Sequence, residues 1–427
     1  MKTRHFLSIY LLIAALLICN TVAYAQNGDE NGNNVEYITI TGVVKDKISK
    51  KNLGYVNVYA VGSNVGTITN ENGEFTLKIN KALKVSEIRL SIAGYYNSLI
   101  SLKSNGIDET TFYMAPESII LDEIMVFTWH NPRDLVKIVM EKISDNYPMQ
   151  PNMLIGFYRE TVQKQRRYIN ISEAVVEIYK DAYNRDVERD KVRVLKGRKL
   201  LSPKRSDTLT VTFVGGPTMP VYLDVIKNPD ILLDLETLNL YSFRMGGSIS
   251  IDDRLHYSVR FEPQVIVDYP LYAGTMYIEQ TSLALTRIEF KMDMTNKHKV
   301  SKAILKDKPA GLRFTPEDVV YVVTYKQQDG KTFLNYIRSE IRFKCDWKRR
   351  LFATNYEVIA ETVITDRNEQ NVIRIQGKEI FGLSHSLSQE VELYLDENFW
   401  SNYNIIEPTE SLENAVNRLK KQNLRTQ

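Results

Sequence analysis

The residues of this chain whose types and spacing could do chemistry surround one histidine. Arg254, His256, Ser258 and Arg260 occupy every second position. Because side chains alternate between the faces of a strand, a regular strand would place His256, Ser258 and Arg260 on one face. An imidazole beside a hydroxyl and guanidinium groups makes a candidate polar site. The alternative is an ordinary solvated or packed strand face, and the sequence leaves both open.

Familiar catalytic signatures are absent from the sequence, which contains no G-x-S-x-G, P-loop or S-x-x-K pattern. After residue 25 the histidines are His130, His256, His298 and His385. None has the closely spaced His and Glu partners of a zinc peptidase. Adjacent carboxylates such as Asp252-Asp253 would face opposite ways on a strand. We therefore expect no catalytic residue, metal or cofactor, and we favour a noncatalytic protein over an enzyme.

The two cysteines give no redox chemistry. Cys19 lies in the N-terminal apolar run, so Cys345 would be alone once that run is removed. A reactive thiolate needs a base within hydrogen-bond reach, and the adjacent Asp346 would point to the other face of a strand. We expect Cys345 to be structural.

The composition is that of a globular protein of one to three domains. The net charge of +3 on 427 residues gives no reason to expect a nucleic-acid partner. The 25 tyrosines favour strands with half-exposed faces. The charged stretch from Asn184 to Arg205 mixes both signs, which is typical of a solvated loop or an edge rather than a nucleic-acid patch.

The first 25 residues have the pattern of a secretory signal peptide: Lys2 and Arg4, an apolar run, and Ala23-Tyr24-Ala25 before the cleavage point. Two alternatives are a lipoprotein signal cut before Cys19, where Ile18 is larger than expected, and a retained anchor, for which the run is short. We predict export to the periplasm or the outer membrane. Residues 26–36 form a polar lead, and no transmembrane span is expected in the mature chain.

Residues 37–115 alternate in short strands separated by turn signals, which predicts an antiparallel sandwich of about seven strands. Three stretches carry a specific pattern: Gly42-Val-Val-x-Asp46, Gly54-Tyr-Val-Asn-Val58 and Gly66-Thr-x-Thr-Asn-x-x-Gly73-x-Phe75. They resemble the carboxypeptidase-regulatory-like domain, a transthyretin-like β-sandwich. The resemblance implies an exported accessory module without peptidase activity, as in TonB-dependent receptors of Bacteroides-type bacteria.

Residues 116–131 are predicted to be a connector. The run from Ser118 to Val126 is similar to the segment that leads into the plug of those receptors. Only about 300 residues follow, too few for the receptor barrel, so we expect a different second domain.

Residues 132–404 are predicted to form a larger antiparallel β-rich domain with few helices. Asn131 and Pro132 favour a helix over 132–147, and residues 221–239 are predicted to be helical. The segments 272–279 and 282–290 resemble paired strands of LolA- and LolB-like lipoprotein carriers. That resemblance implies a half-open sheet around an apolar groove for acyl chains, although any β-meander gives a similar pattern.

Residues 405–427 end the chain with a predicted helix whose Leu412, Val416 and Leu419 share one face. The whole sequence predicts a mainly β, exported envelope protein with two function classes open. The first is a noncatalytic module whose larger domain binds a protein partner, a lipid or a glycan. The second is a hydrolase with a site assembled from distant residues.

Overall fold

The computed structural model describes residues 36–102, 110–117, 131–204, 207, 211–213, 215–348, 352–383, 385–390, 394–395 and 403–424. The signal peptide predicted at 1–25, all but the last residue of the polar lead and most of the connector at 116–131 lie outside these residues. So does the resemblance carried by Ser118 to Val126.

Strands dominate the described chain. They are β1 (Tyr37–Asp46), β2 (Asn57–Ala60), β3 (Gly66–Ile68), β4 (Glu74–Asn80), β5 (Glu87–Ser91), β6 (Ser98–Ser101), β7 (Thr111–Met114), β8 (Asn152–Lys164), β9 (Arg167–Lys180), β10 (Lys191–Leu201), β11 (Thr212–Phe213), β12 (Tyr241–Ile251), β13 (Arg254–Pro263), β14 (Tyr272–Glu279), β15 (Leu285–Met292), β16 (Leu305–Asp307), β17 (Leu312–Gln328), β18 (Lys331–Trp347) and β19 (Thr354–Asn368). The helices are α1 (Pro132–Glu141), α2 (Ile143–Asn146), α3 (Met219–Tyr222), α4 (Lys297–Ile304), α5 (Leu387–Glu390) and α6 (Glu410–Leu424).

The first module is a sandwich of a three-stranded sheet, β4-β1-β7, and a four-stranded sheet, β3-β2-β5-β6. Strand β4 illustrates why the two sheets pack together. Its Phe75, Leu77 and Ile79 alternate with half-exposed residues, so one face of the strand is apolar and is buried against the other sheet. The predicted seven-stranded sandwich is confirmed, except that β7 runs parallel to β1. Strand β7 follows β6, which belongs to the opposite sheet, and pairs with β1. Because β7 is not joined to β1 by a tight hairpin, the antiparallel direction is not required.

The second domain is a ten-stranded antiparallel sheet in the order β10-β9-β8-β19-β18-β17-β15-β14-β13-β12. Its centre is built by long hairpins; β17 and β18 have 17 residues each. The predicted mainly β architecture with few helices is confirmed. The charged stretch forms β10, one edge of this sheet, as the mixed charges indicated.

Two helix predictions differ in detail from the structure. Asn131 caps α1 as expected by accepting a hydrogen bond from the Arg133 amide, but the helix is interrupted at Lys142. The helix predicted over 221–239 is wrong: the segment has only the end of α3 and two short 3-10 turns. Asn228-Pro229 explains the break, because a proline disfavours helical backbone in the residue before it.

The two faces of the large sheet are covered differently. The first face, which carries Tyr158, Glu160 and Val162 of β8, packs against α1, α4 and the segment 219–240. The second face carries Phe157 and packs against Ile68 of the sandwich and the segment 405–406. Helix α6 also docks, burying Leu412, Ala415, Val416 and Leu419 against β9 and β10.

The turn between β12 and β13 fixes the sandwich to the sheet. Asp252 and Asp253, expected on a strand, instead form this turn with positive φ angles of 55° and 57°. Asp252 Oδ1 accepts hydrogen bonds from Tyr59 Oη at 2.7 Å and Asn97 Nδ2 at 3.0 Å. The Gly94 amide also donates to Ser250 O at 2.9 Å. The hairpin is therefore held by side chains and by backbone.

We expect Asp252→Ala to lower the free energy of unfolding by roughly 1–3 kcal/mol, because the Tyr59 hydroxyl loses its acceptor in a half-buried interface. Asp329→Ala is the matched control: it also has a positive φ, 51°, in a hairpin turn. Its side chain makes no hydrogen bond to any described residue. Urea unfolding of both variants checks this, and equal losses would show that backbone strain alone causes the effect.

Candidate functional site

The structure places Arg254, His256, Ser258 and Arg260 on β13 but gives them separate environments. Arg254 and Arg260 are exposed, whereas His256 is 1% exposed. His256 Nδ1 lies 2.8 Å from Arg254 O, and Ser258 Oγ donates to Gly247 O at 2.6 Å. Burial lowers the pKa of His256, which favours the neutral imidazole. A role for this group in a site stays a prediction.

A cavity of about 310 Å³ lies on the first face of the large sheet. Its walls come from β8, β9, β18 and β19 on one side and from described residues between 201 and 223 and between 385 and 388 on the other. Apolar side chains predominate in the lining: Val162, Ile169, Leu201, Val211, Phe213, Met219, Pro220, Leu223, Ile337, Ile341, Val358 and Ala360. The volume lies at the lower end of the range for ligand sites.

Strand register places a single carboxyl in the middle of the apolar wall. Glu160 of β8 lies opposite Ala360 of β19, which lies opposite Ser339 of β18. Directly opposite residues in antiparallel strands project from the same face. Three adjacent strands therefore present a carboxyl, a methyl and a hydroxyl in one row that lines the cavity.

Glu160 is held by one hydrogen bond. Tyr158 Oη donates to Glu160 Oε2 at 2.9 Å, and no cation pairs with the carboxyl anywhere in the described ranges. Burial raises the pKa of Glu160, and the Tyr158 hydrogen bond opposes this only in part. An unpaired carboxylate is costly in a low-dielectric site, so the neutral acid is favoured there.

The opposite wall depends on a close approach of two chain segments. Gly216 has a φ of +81°, and a Cβ there would lie 2.7 Å from His385 O. Thr218 Oγ1 donates to Phe381 O across the same contact. His385 also lines the cavity, and its Nδ1 lies 2.9 Å from Glu390 Oε1. The positive φ and missing side chain of Gly216 therefore permit this close approach.

The other acidic residue of the lining is paired. Asp207 Oδ2 lies 2.6 Å from Arg167 Nη2 and accepts a hydrogen bond from Ser202 Oγ at 2.6 Å. Burial alone would raise the pKa of Asp207, but the Ser202 hydrogen bond and the Arg167 and Lys164 charges lower it. The ionised form is therefore favoured at Asp207, whereas burial favours the neutral form at Glu160.

A second polar cluster is closed to ligands. Lys180 Nζ lies 2.8 Å from both Asp190 Oδ2 and Asp224 Oδ2, and all three side chains are at most 1% exposed. Lys227 adds a second cation, so two positive and two negative charges balance. Burial opposes the charge of Lys180, but the two aspartates together raise its pKa. This cluster fixes the 180–227 segment rather than forming a site.

Cys345 is buried in the apolar cluster beside Phe343 and Val358. Burial raises the pKa of its thiol to about 11, so the reactive thiolate is scarce at neutral pH. These properties support the structural role predicted from the sequence.

Glu160 is not among the site residues that the sequence predicts. The only signal in the sequence is a charged residue between Tyr158 and Val162 on the apolar side of an alternating strand. That pattern is also typical of a solvent-exposed face. Register with β18 and β19 was needed to place this residue in a cavity wall.

Comparison with known families identifies the first module. Residues 40–126 match the model of the CarboxypepD_reg-like domain family, which confirms the resemblance seen in the glycine-containing motifs. A search of curated proteins finds no match.

Solved structures give weak matches. One is a putative outer membrane lipoprotein-sorting protein domain from Vibrio parahaemolyticus, 10% identical, with a TM-score of 0.26, covering 57% of this chain and 95% of that one. Another is a LolA superfamily protein from Nitrosomonas europaea, 11% identical, with a TM-score of 0.21 and coverages of 57% and 96%. The matches include the family that residues 272–290 resemble, but such TM-scores do not establish a common fold or ligand.

None of the described helices is both long enough and apolar enough to cross a membrane.

We expect Gly216→Ala to destabilise the cavity wall more than a matched glycine substitution elsewhere. Gly311 has nearly the same φ, +83°, but open space around its Cβ position. Left-handed backbone costs roughly 1–2 kcal/mol in either variant. The clash with His385 O adds roughly 1–3 kcal/mol for Gly216→Ala alone. Thermal unfolding measures both, and equal melting temperatures would contradict the close approach.

Proposed function

We propose that the protein is a noncatalytic cell-envelope protein whose large β-domain binds an acyl chain in the cavity on the first face of the sheet. The observation that carries this proposal is the wall itself. Most of its side chains are apolar; Asp207 is paired with cations, and Glu160 has no cation partner among the described residues. Such a wall repels ions and favours hydrocarbon.

The energetics fit a hydrocarbon ligand. Each methylene transferred from water into an apolar site contributes about 0.8 kcal/mol. A volume of about 310 Å³ accommodates part of a slender acyl chain. Polar side chains such as Asn170, Ser202 and Ser388 also line the cavity, but the apolar side chains outnumber the polar ones, which favours hydrocarbon over a glycan.

An envelope location is supported by two features at the N-terminal end. The first 25 residues have the charge, apolar run and A-x-A pattern of a secretory signal. The next module matches a family whose resemblance implied an exported accessory domain. In this proposal the sandwich is a docked accessory module, and the cavity domain does the binding.

A hydrolase is the second candidate, and one contact favours it. His385 Nδ1 lies 2.9 Å from Glu390 Oε1, as a histidine base and its orienting carboxylate would. The nucleophile is missing from this arrangement: within the described residues, no serine or threonine hydroxyl is hydrogen-bonded to His385 Nε2. Ester hydrolysis that is lost in His385→Ala would revive this alternative.

We expect Ala360→Leu to weaken binding of cis-parinaric acid methyl ester at least tenfold, because the added carbons fill the cavity beside Glu160. The fluorescence rise of this polyene on leaving water gives the affinity of the full-length chain. Ala82→Leu, at an exposed position of the first module, is the control. Equal affinities in both variants would place the ligand outside the cavity.

The natural ligand is tested separately. Native mass spectrometry and lipid extraction of protein purified gently from the envelope should give a co-purified acylated molecule. An empty protein, or one that carries only a protein partner, would contradict the proposal.

A further inference from the structure

We infer that Glu160 is the polar anchor of the cavity and donates a hydrogen bond to a neutral carbonyl oxygen, so that the ligand is an acyl ester or amide rather than a free fatty acid anion or an amine. This inference rests on the proposed function and specifies its ligand class.

The hydrogen bond between Tyr158 and Glu160 has a defined direction. The phenol donates to Glu160 Oε2, which leaves the second carboxyl oxygen, Oε1, without a partner among the described residues. A neutral carboxyl has one O–H donor. With the phenol on Oε2, a proton on Oε1 is available to a ligand in the cavity that Glu160 lines.

The residues opposite Glu160 on the neighbouring strands carry no charge. They are Ser172 and Ala360, and Ser339 beyond them is also uncharged. The remaining ionisable groups of the lining are Asp207, which is paired with Arg167 and Lys164, and His385, which is paired with Glu390. Lys199 donates to Ser388 O nearby. No cation in this set contacts Glu160.

These surroundings decide the ligand class. A carboxylate ligand would bring an unpaired negative charge into an apolar wall, which is costly. An ester or amide carbonyl accepts a hydrogen bond without a net charge. An amine would be favoured only if Glu160 were ionised, and its burial disfavours that form.

The test uses full-length protein and two fluorescent probes, cis-parinaric acid methyl ester and the hydrocarbon diphenylhexatriene. Glu160→Met removes the donor at similar size, and we expect about fivefold weaker binding of the ester with no loss for the hydrocarbon, as for one hydrogen bond. Glu160→Gln keeps an N–H donor and should retain the ester. Ester binding that is unchanged in Glu160→Met would overturn the inference.

The pH response gives a second, independent readout. As pH rises, Glu160 ionises and loses its O–H, so the wild type should bind the ester less tightly, whereas Glu160→Gln should not respond. The response should persist in His385→Gln, which removes the imidazole that also lines the cavity. Tighter binding of a long-chain alkylamine than of the ester would instead make Glu160 a counter-ion. If the wild type binds neither probe, the proposed function itself fails.

Discussion

A sheet of ten strands with apolar side chains on both faces must be covered on both sides, and this constraint organises the whole molecule. The chain provides the two covers from different parts of its length. Helices α1 and α4 and the segment 219–240 cover the first face, while the sandwich and the C-terminal segment cover the second. Neither cover is a regular layer, so each must be fixed by particular polar contacts.

On the second face these contacts include buried charges. Glu173 lies between Arg159 and Arg198, at 2.7 Å and 2.5 Å, and Arg159 Nη2 also donates to Ile406 O. Burial alone would raise the pKa of Glu173, but the two guanidinium groups lower it. Breaking such a pair leaves an uncompensated buried charge, which is strongly destabilising. The C-terminal segment is thereby held on the sheet.

On the first face the cover leaves a gap, and the gap is the candidate site. The segment 219–240 is fixed near β9 by the Lys180, Asp190 and Asp224 ion pairs. The Gly216 turn brings residues 381–385 against it. The space between this cover and strands β8, β18 and β19 is therefore bounded on both sides by fixed elements, as a pre-formed ligand site requires.

The sequence by itself determined the class of each domain, the sandwich family and the α1 cap, because these depend on local periodicity, turn residues and composition. It did not predict the irregularity of β12 at Gly246, where the pairing with β13 shifts and Ser258 Oγ would lie 2.3 Å from a Cβ. It also failed at Glu160. Only the tertiary structure decided both, because register between strands far apart in sequence determines which side chains meet and which face a cavity.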